Sequence, residues 1–365
     1  MRHLISRVLR PVAVLATGAV IATTLTAPAV AAPVDRSAGW LERQLTDGLV
    51  HNDQYDFDDY GLSADIAIAL DAIGGNRRTV SEIVGALAEN VDSWTTGVDF
   101  GSDDVYAGSV AKAVVAAQSA GRNPRRFGGV NLVKRLAARV SDAKPTAGRI
   151  EDSGTTDYSN TIGQLFAAVG LADAGSPKAA PARRFLLKQQ CSEGFFRLSF
   201  APTSKKRQGC DAGNAEQSAP DTDVTALAVI ALNALPKKGK RVRAAVDNAT
   251  DWLVGTQKRN GSFGGGATTE SSNTNSTGLA AWALGDTGAC RVAVKSARWV
   301  RKLQVRGDVS GTSLAGEKGA IAYDRAAMKA AESAGITAET RDQWRRASAQ
   351  AAPGLTFTSV ERCRR

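Results

Sequence analysis

Carboxylate side chains lie close together at several places in this sequence, and two of these places precede apolar runs. Asp56, Asp58 and Asp59 fall within four consecutive residues, and Asp221 and Asp223 are separated by a single residue. A carboxylic acid that its neighbours keep protonated can pass the proton to a bound molecule, which is general acid catalysis. Aspartate is also preferred at helix N-termini, where it accepts hydrogen bonds from free backbone N–H groups. Both clusters therefore predict either an acid site or a helix cap.

Amide and hydroxyl side chains open other apolar segments of the chain. Ser159 and Asn160 precede one such segment, and Asn273 and Asn275 open another. If these segments run in the same direction, their polar ends form a mouth suited to a sugar, a peptide or a polar cofactor. Capping alone would account for the same residues, because Ser, Thr, Asn and Asp are the preferred N-cap types. On the first alternative, the mouth is lined by Asp56, Asp58, Asp59, Asn160, Asn275 and Trp282.

Metal chemistry has little support in the sequence. The four cysteines are not closely spaced, and beyond residue 31 the chain has a single histidine, His51. Zinc sites in proteins draw on closely grouped Cys, His and acidic ligands. We therefore expect no metal centre, and we assign no cofactor.

The elements that would carry these residues form a repeat. Apolar, alanine-rich runs recur at intervals of roughly 45–60 residues, which is typical of a repeat architecture. They are apolar on nearly every side, as buried helices are, and cover residues 62–73, 109–120, 161–174, 224–235, 277–284 and 320–334. Amphipathic segments alternate with them, at 38–49, 80–94, 130–140, 182–190, 242–253, 292–303 and 338–349. This alternation predicts an all-α fold, an α6/α6 toroid of six helix pairs in two concentric rings.

A recurring sequence motif marks the amphipathic segments. An aromatic residue is followed by Gln and then by Gly, as in Trp252, Gln257 and Gly261. Related copies of the motif are Trp40, Gln44 and Gly48; Phe185, Gln189 and Gly194; and Trp299 with Gln304. The motif resembles the repeat of the terpenoid-cyclase and protein-prenyltransferase superfamily, whose squalene cyclases are α/α toroids. The resemblance covers Trp40 to about Ala349 and implies a secreted bacterial member with a single toroid.

The resemblance also implies an acid. Class II cyclases of this superfamily protonate an alkene or epoxide with the middle Asp of an Asp-x-Asp-Asp-Thr-Ala segment that opens an inner helix. Residues 221–226 match this segment, except that Val224 replaces the neighbouring Asp. Asp223 takes the proton-donating position and Asp221 precedes it, which makes these two the candidate catalytic residues. Residues 56–59 match the short string but open the first inner helix instead.

The first 31 residues predict export from the cell. Arg2, Arg7 and Arg10 precede an apolar stretch of small residues that ends at a small-residue cleavage site. The rest of the chain would then comprise a toroid domain, residues 32–351, and a C-terminal tail, residues 352–365. We expect the protein to be secreted, without a stable membrane anchor.

The cysteine count agrees with an oxidising compartment, where two disulfides are expected. Three pairings are possible. We favour Cys191 with Cys210, which closes a loop, and Cys290 with Cys363, which ties the C-terminal tail back to the toroid. The formal net charge of +10 is dispersed along the chain, which is typical of solvated loop faces, so no nucleic-acid partner is expected.

Two functions remain open from the sequence. The inner runs carry few large aromatic residues, chiefly Phe166 and Trp282, whereas a cyclase faces its carbocations with aromatic rings. We therefore expect a secreted toroid that binds a small molecule, a glycan or an extracellular partner at the mouth of the ring. The alternative is a terpenoid-cyclase-like enzyme that acts on an apolar polyene through Asp223. The sequence is compatible with an enzyme and with a binding protein.

Overall fold

The computed structural model describes residues 31–364, so the predicted signal segment lies outside the described residues apart from Ala31. About half of the described residues are helical, and loops make up most of the rest. Its α-helices are α1 (Pro33–Glu42), α2 (Tyr60–Ile73), α3 (Arg77–Glu89), α4 (Val91–Thr95), α5 (Ala107–Ser119), α6 (Leu132–Ala137), α7 (Thr161–Asp173), α8 (Ala179–Lys188), α9 (Thr222–Asn233), α10 (Lys240–Thr256), α11 (Thr274–Asp286), α12 (Cys290–Arg301), α13 (Arg325–Ala334), α14 (Ala338–Ala351) and α15 (Val360–Cys363). Short 3-10 helices cover Val98–Phe100, Cys210–Ala212 and Pro353–Phe357.

The helices form two concentric rings. The inner ring consists of α2, α5, α7, α9, α11 and α14; each contacts the next, and α14 contacts α2 to close the ring. The outer helices α1, α3, α6, α8, α10 and α12 alternate with them along the chain and pack against the inner ring. Within residues 31–364 this arrangement is an α/α toroid of six helix pairs. The fold class predicted from the alternating pattern is confirmed.

The sixth helix pair differs from the prediction. The run 320–334 was expected to be an inner helix, yet α13, which covers its last ten residues, buries only Ala331. The segment 338–349, expected outside, lies in α14 of the inner ring. Small side chains allow this helix to approach α11, because a Cβ on Gly278 would lie 2.3 Å from the Cα of Ala351. Alanine content alone did not distinguish the exposed helix from the buried one.

A short hairpin precedes the first inner helix, where the sequence predicted no strand. Strand β1 (His51–Asn52) pairs antiparallel with β2 (Phe57–Asp58), with His51 opposite Asp58. The hairpin is two residues long on each side, and its end leads directly into Asp59 and the start of α2.

Glutamine side chains join neighbouring outer helices. The Nε2 atom of Gln190, after α8, donates to the Ala245 carbonyl of α10 at 2.9 Å. Gln257, after α10, bonds in the same way to α12. Gln304, after α12, donates to the Pro33 carbonyl of α1 at 2.7 Å, which closes the outer ring. Gln189 instead caps its own helix, since its Nε2 donates to the Phe185 carbonyl at 3.0 Å.

A glycine follows these glutamines where the loop meets the next outer helix. Gly319, with φ of 105°, lies against α1, and a Cβ there would come within 2.0 Å of the Arg36 carbonyl oxygen. Its own carbonyl accepts a hydrogen bond from the Ser37 hydroxyl at 2.8 Å. Only a residue without a side chain fits this contact.

Hydroxyl side chains fix the starts of several inner helices. The Thr225 hydroxyl accepts the Phe196 N–H of the preceding loop at 2.9 Å and donates to the Asp221 carbonyl at 2.6 Å. Ser63 in α2 and Thr277 in α11 hold the same position and make the corresponding pair of bonds. Each hydroxyl therefore satisfies a buried loop N–H that would otherwise lack a partner.

The described residues contain two disulfides, with the favoured pairing. Cys191 and Cys210 are joined across their loop, and Cys290 at the start of α12 is joined to Cys363 in α15. The second bond holds the end of the chain against the outer ring.

Replacing Gly319 tests whether this contact closes the toroid. Gly319→Ala should lower the free energy of unfolding by about 2–5 kcal/mol, because strained backbone and overpacking add together. Gly307→Ala is the matched control: Gly307 has φ of 81° in the same connection but no neighbouring atom within 4 Å of a Cβ. The free energy of unfolding of the control should fall by only about 1–2 kcal/mol. Urea denaturation measures both, and equal losses would contradict a role in ring closure.

Candidate functional site

Polar side chains cap the inner helices at a common end. The side chains of Asp59, Asn160, Asp221 and Asn273 accept backbone N–H bonds from the first turns of α2, α7, α9 and α11. The inner helices all follow outer helices in the same sense, so these caps surround one opening of the ring. Asp59, Asn160 and Asp221 therefore cap helix starts on the same side of the ring.

The first acidic cluster is occupied by local contacts. Asp58 Oδ1 lies 3.0 Å from His51 Nδ1 across the hairpin, and this hydrogen bond is the main cause that raises the pKa of His51. Asp56 is exposed in the hairpin turn, with φ of 52°. Asp59 caps α2 and pairs with Arg346 of α14. These contacts organise the mouth rather than form an acid site.

The second acidic cluster lies beneath a glycine-rich loop. Asp221 Oδ1 accepts the N–H groups of Asp223 and Val224 at 2.9 and 3.0 Å. Asp223 Oδ1 is shielded from solvent and has no hydrogen-bond partner among the described residues. A Cβ on Gly265 would lie 3.2 Å from Asp223 Oδ2, so the loop covers this carboxylate closely.

Burial raises the pKa of Asp223 to about 6, with the charge of Asp221 adding to the effect and the Ser276 hydroxyl opposing it. Burial likewise raises the pKa of Asp221, which its two backbone hydrogen bonds oppose. Asp223 therefore keeps its proton to a higher pH than an ordinary aspartate, up to about pH 6. Neither aspartate lines the cavities described below.

The ring encloses a cavity of about 200 Å³, here called the central cavity. Every inner helix contributes to its walls, which are mostly aliphatic. Phe166 and Trp282 add aromatic surface, and Asp65, Lys112 and Gln350 add polar groups. Trp282 was predicted to line the mouth; instead it lies in this cavity, because it falls in the third turn of α11 rather than at its start.

A second cavity of about 370 Å³, here called the mouth pocket, opens between α2, α5 and α7. Its aromatic lining is Trp94, Tyr106, Tyr158 and Phe166, and its polar lining includes Asp152 and Asn160. Of the predicted mouth residues, Asn160 lies in this pocket, whereas Asn275 lies on the other side of the ring in α11. Sequence reasoning missed Trp94, Tyr106, Asp152 and Tyr158.

Backbone groups and a carboxylate set the shape of the mouth pocket. Asp152 Oδ1 accepts the Ala107 N–H at 2.6 Å, which caps α5, and its Oδ2 accepts the Tyr158 N–H at 3.0 Å. Asp152 therefore holds Tyr158 beside the start of α5. Gly108 and Gly163 bring α5 and α7 together, since a Cβ on Gly163 would lie 3.0 Å from the Gly108 Cα.

Exposed aromatic rings surround this part of the mouth. Tyr55, Phe100 and Tyr158 are 69%, 83% and 73% exposed, on the three successive loops that precede α2, α5 and α7. Hydrogen bonds between Val105 and Ser153 join the second loop to the third. Exposed apolar surface beside a pocket is typical of a ligand-binding region.

Asp223→Asn should stabilise the protein at neutral pH. The folded state favours protonated Asp223, so the free energy of unfolding falls as pH rises from about 4 to about 6. Removing the charge should raise the free energy of unfolding by on the order of 2 kcal/mol at pH 7.5 and leave it unchanged at pH 4. Melting temperatures across this pH range measure the effect, with Asp251→Asn on exposed α10 as the control. A variant that is less stable at every pH would mean that the carboxylate supports the fold.

Comparison with known proteins gives the fold alone. No family model and no curated protein matches this chain. Among solved structures, a type II terpene cyclase from Scytonema is 12% identical with a TM-score of 0.59, covering 90% of this chain and 97% of that one. An unsaturated glucuronyl hydrolase from Bacillus sp. GL1 is 12% identical with a TM-score of 0.55, covering 88% and 95%. A protein from Actinoplanes is 17% identical with a TM-score of 0.57, covering 89% and 98%.

Proposed function

We propose that this protein is a secreted toroid that binds a sugar-like small molecule or the end of a glycan in the mouth pocket. The observation that carries the proposal is the composition of that pocket. Flat aromatic rings of Trp94, Tyr106 and Tyr158 stand beside hydroxyl, amide and carboxylate groups within one open cavity.

Sugars present both kinds of surface at once. The C–H face of a pyranose ring packs against an aromatic ring, while its hydroxyl groups need hydrogen-bond donors and acceptors. A pocket with apolar walls and a few placed polar groups is the usual form of a small-molecule site. Ser109, Ser159 and Asn160 supply such groups in the mouth pocket.

The pocket favours binding over hydrolysis. Glycoside hydrolysis ordinarily uses two carboxyl groups that flank the scissile bond. Of the described residues that line the mouth pocket, Asp152 is the only carboxylate, and both its oxygens accept backbone N–H bonds. A carboxylate held in this way orients the pocket and is not free to act as acid or nucleophile.

Secretion is supported by the disulfides and by the composition of residues 1–31. Disulfides persist in oxidising compartments, and Cys191–Cys210 and Cys290–Cys363 are both formed. Among the described residues, no helix has the length and apolar character needed to cross a bilayer.

The alternative function is a cyclase-like reaction on an apolar polyene. The apolar central cavity and the raised pKa of Asp223 favour it. The loop at Gly265 and the position of Asp223 away from that cavity weigh against it. Incubation with squalene decides the matter: a cyclised product that disappears in Asp223→Asn, with the fold retained, would establish the enzyme. We expect no product.

Replacing Tyr158 tests the mouth pocket. Tyr158→Ala should weaken glycan binding about tenfold, because one exposed stacking ring is lost while no buried packing changes. Tyr55→Ala is the matched control, an equally exposed tyrosine on a neighbouring mouth loop that does not line the pocket. A glycan array identifies binders, and titration calorimetry gives the affinities. An array without binders, or equal affinity for both variants and the wild type, would refute the proposal.

A further inference from the structure

We infer that the ligand of this protein is an amphiphile: a sugar-like head occupies the mouth pocket, and an attached apolar chain enters the central cavity. The inference rests on the proposed function for the head. It adds a chemical class of ligand, a glycoside or glycolipid with one alkyl or isoprenoid chain.

The two cavities are neighbours within the ring. Lys112, Ile162 and Phe166 line both of them and are here called the partition. A molecule seated in the mouth pocket would therefore contact residues that also face the central cavity.

The chemistry of the walls changes across this partition. The mouth pocket is lined by hydroxyl, amide and carboxylate groups together with tyrosines. Beyond the partition the walls are mostly aliphatic, with Leu165, Val169, Leu227 and Ile230 among the lining residues. An apolar cavity offers water few hydrogen bonds, whereas an alkyl chain placed there leaves water and gains free energy.

A charged pair marks the boundary. Lys112 Nζ lies 2.8 Å from Asp65 Oδ1, and the two side chains are 22% and 28% exposed. Lys112 Nζ is also 5.9 Å from the centre of the Phe166 ring. An ammonium group has three donors, so one remains for an oxygen atom of the ligand after the contacts with Asp65 and the Gly61 carbonyl. The oxygen that joins a sugar to its chain would lie at this level.

The size of the central cavity, about 200 Å³, limits how much of the chain it can enclose. Affinity should consequently rise with chain length and then level off once the central cavity is full.

The test uses the purified wild-type protein and n-alkyl β-D-glucosides with methyl, butyl, hexyl and octyl chains, each below its micelle-forming concentration. Titration calorimetry should show affinity rising by up to about fourfold per methylene, the factor that corresponds to about 0.8 kcal/mol, before it reaches a plateau. Hexanol, which has the chain without the head, should bind at least tenfold more weakly than hexyl glucoside.

A cavity-filling variant locates the chain. Ala231→Trp fills the central cavity and should abolish the rise in affinity with chain length. Its affinity for methyl glucoside should stay within twofold of that of the wild type. Ala330→Trp on exposed α13 is the matched control and should keep the full gain. Retained binding of methyl glucoside shows that each variant is folded.

Two results would overturn the inference. A flat response across the chain-length series, whether or not methyl glucoside binds, means that no chain enters the central cavity. Hexanol binding as tightly as hexyl glucoside means that the head contributes nothing. If methyl glucoside binds but the series is flat, the proposed function survives alone; if only chains bind, the sugar site itself is wrong.

Discussion

The closing half of the toroid, from α8 round to α1, depends on hydrogen bonds that join the end of one outer helix to the next. Glutamine side chains after α8, α10 and α12 provide these bonds by donating to backbone carbonyls of the following helix. The series ends at Gln304 and Pro33, where the last outer helix meets the first. Once the outer ring is fixed in this way, the inner helices all start at the same side, and their polar caps surround one mouth. The mouth pocket and the buried aspartates are consequences of that alignment.

Most of the aspartates near the mouth make hydrogen bonds that hold the fold together. Asp59 and Asp221 cap helices, Asp58 holds a hairpin, and Asp152 caps α5 from a neighbouring loop. Asp223 is the exception, since it has a shielded oxygen without a partner among the described residues and a raised pKa. Its cover of glycines separates it from the space where a ligand would lie. A site built mainly from aromatic rings and neutral polar groups is suited to recognition.

Much of the fold, but less of the site, could be predicted from the sequence. The spacing of apolar runs and the motif around Gln257 and Gly261 identified the two rings, because the spacing and the motif both reflect contacts that recur from one repeat unit to the next. The last pair was misassigned because alanine fits a buried helix and an exposed one equally well. Trp94 and Tyr158 escaped notice because they lie on a short helix and a loop that the repeat does not constrain. Their only signal in the sequence is that aromatic residues occur shortly before inner helices.

The contact between Gln304 and Pro33 spans 271 positions of the chain and fixes the order in which the molecule can be completed. A chain that emerges from its N-terminus first presents α1 long before its closing partners exist. Until those partners arrive, the growing structure is an open arc with an exposed apolar seam along its inner helices. Contacts between such distant segments form late, because the entropy of closing the intervening loop opposes them. The interior is therefore accessible from the side during folding, and the ring encloses it only when the final helices dock.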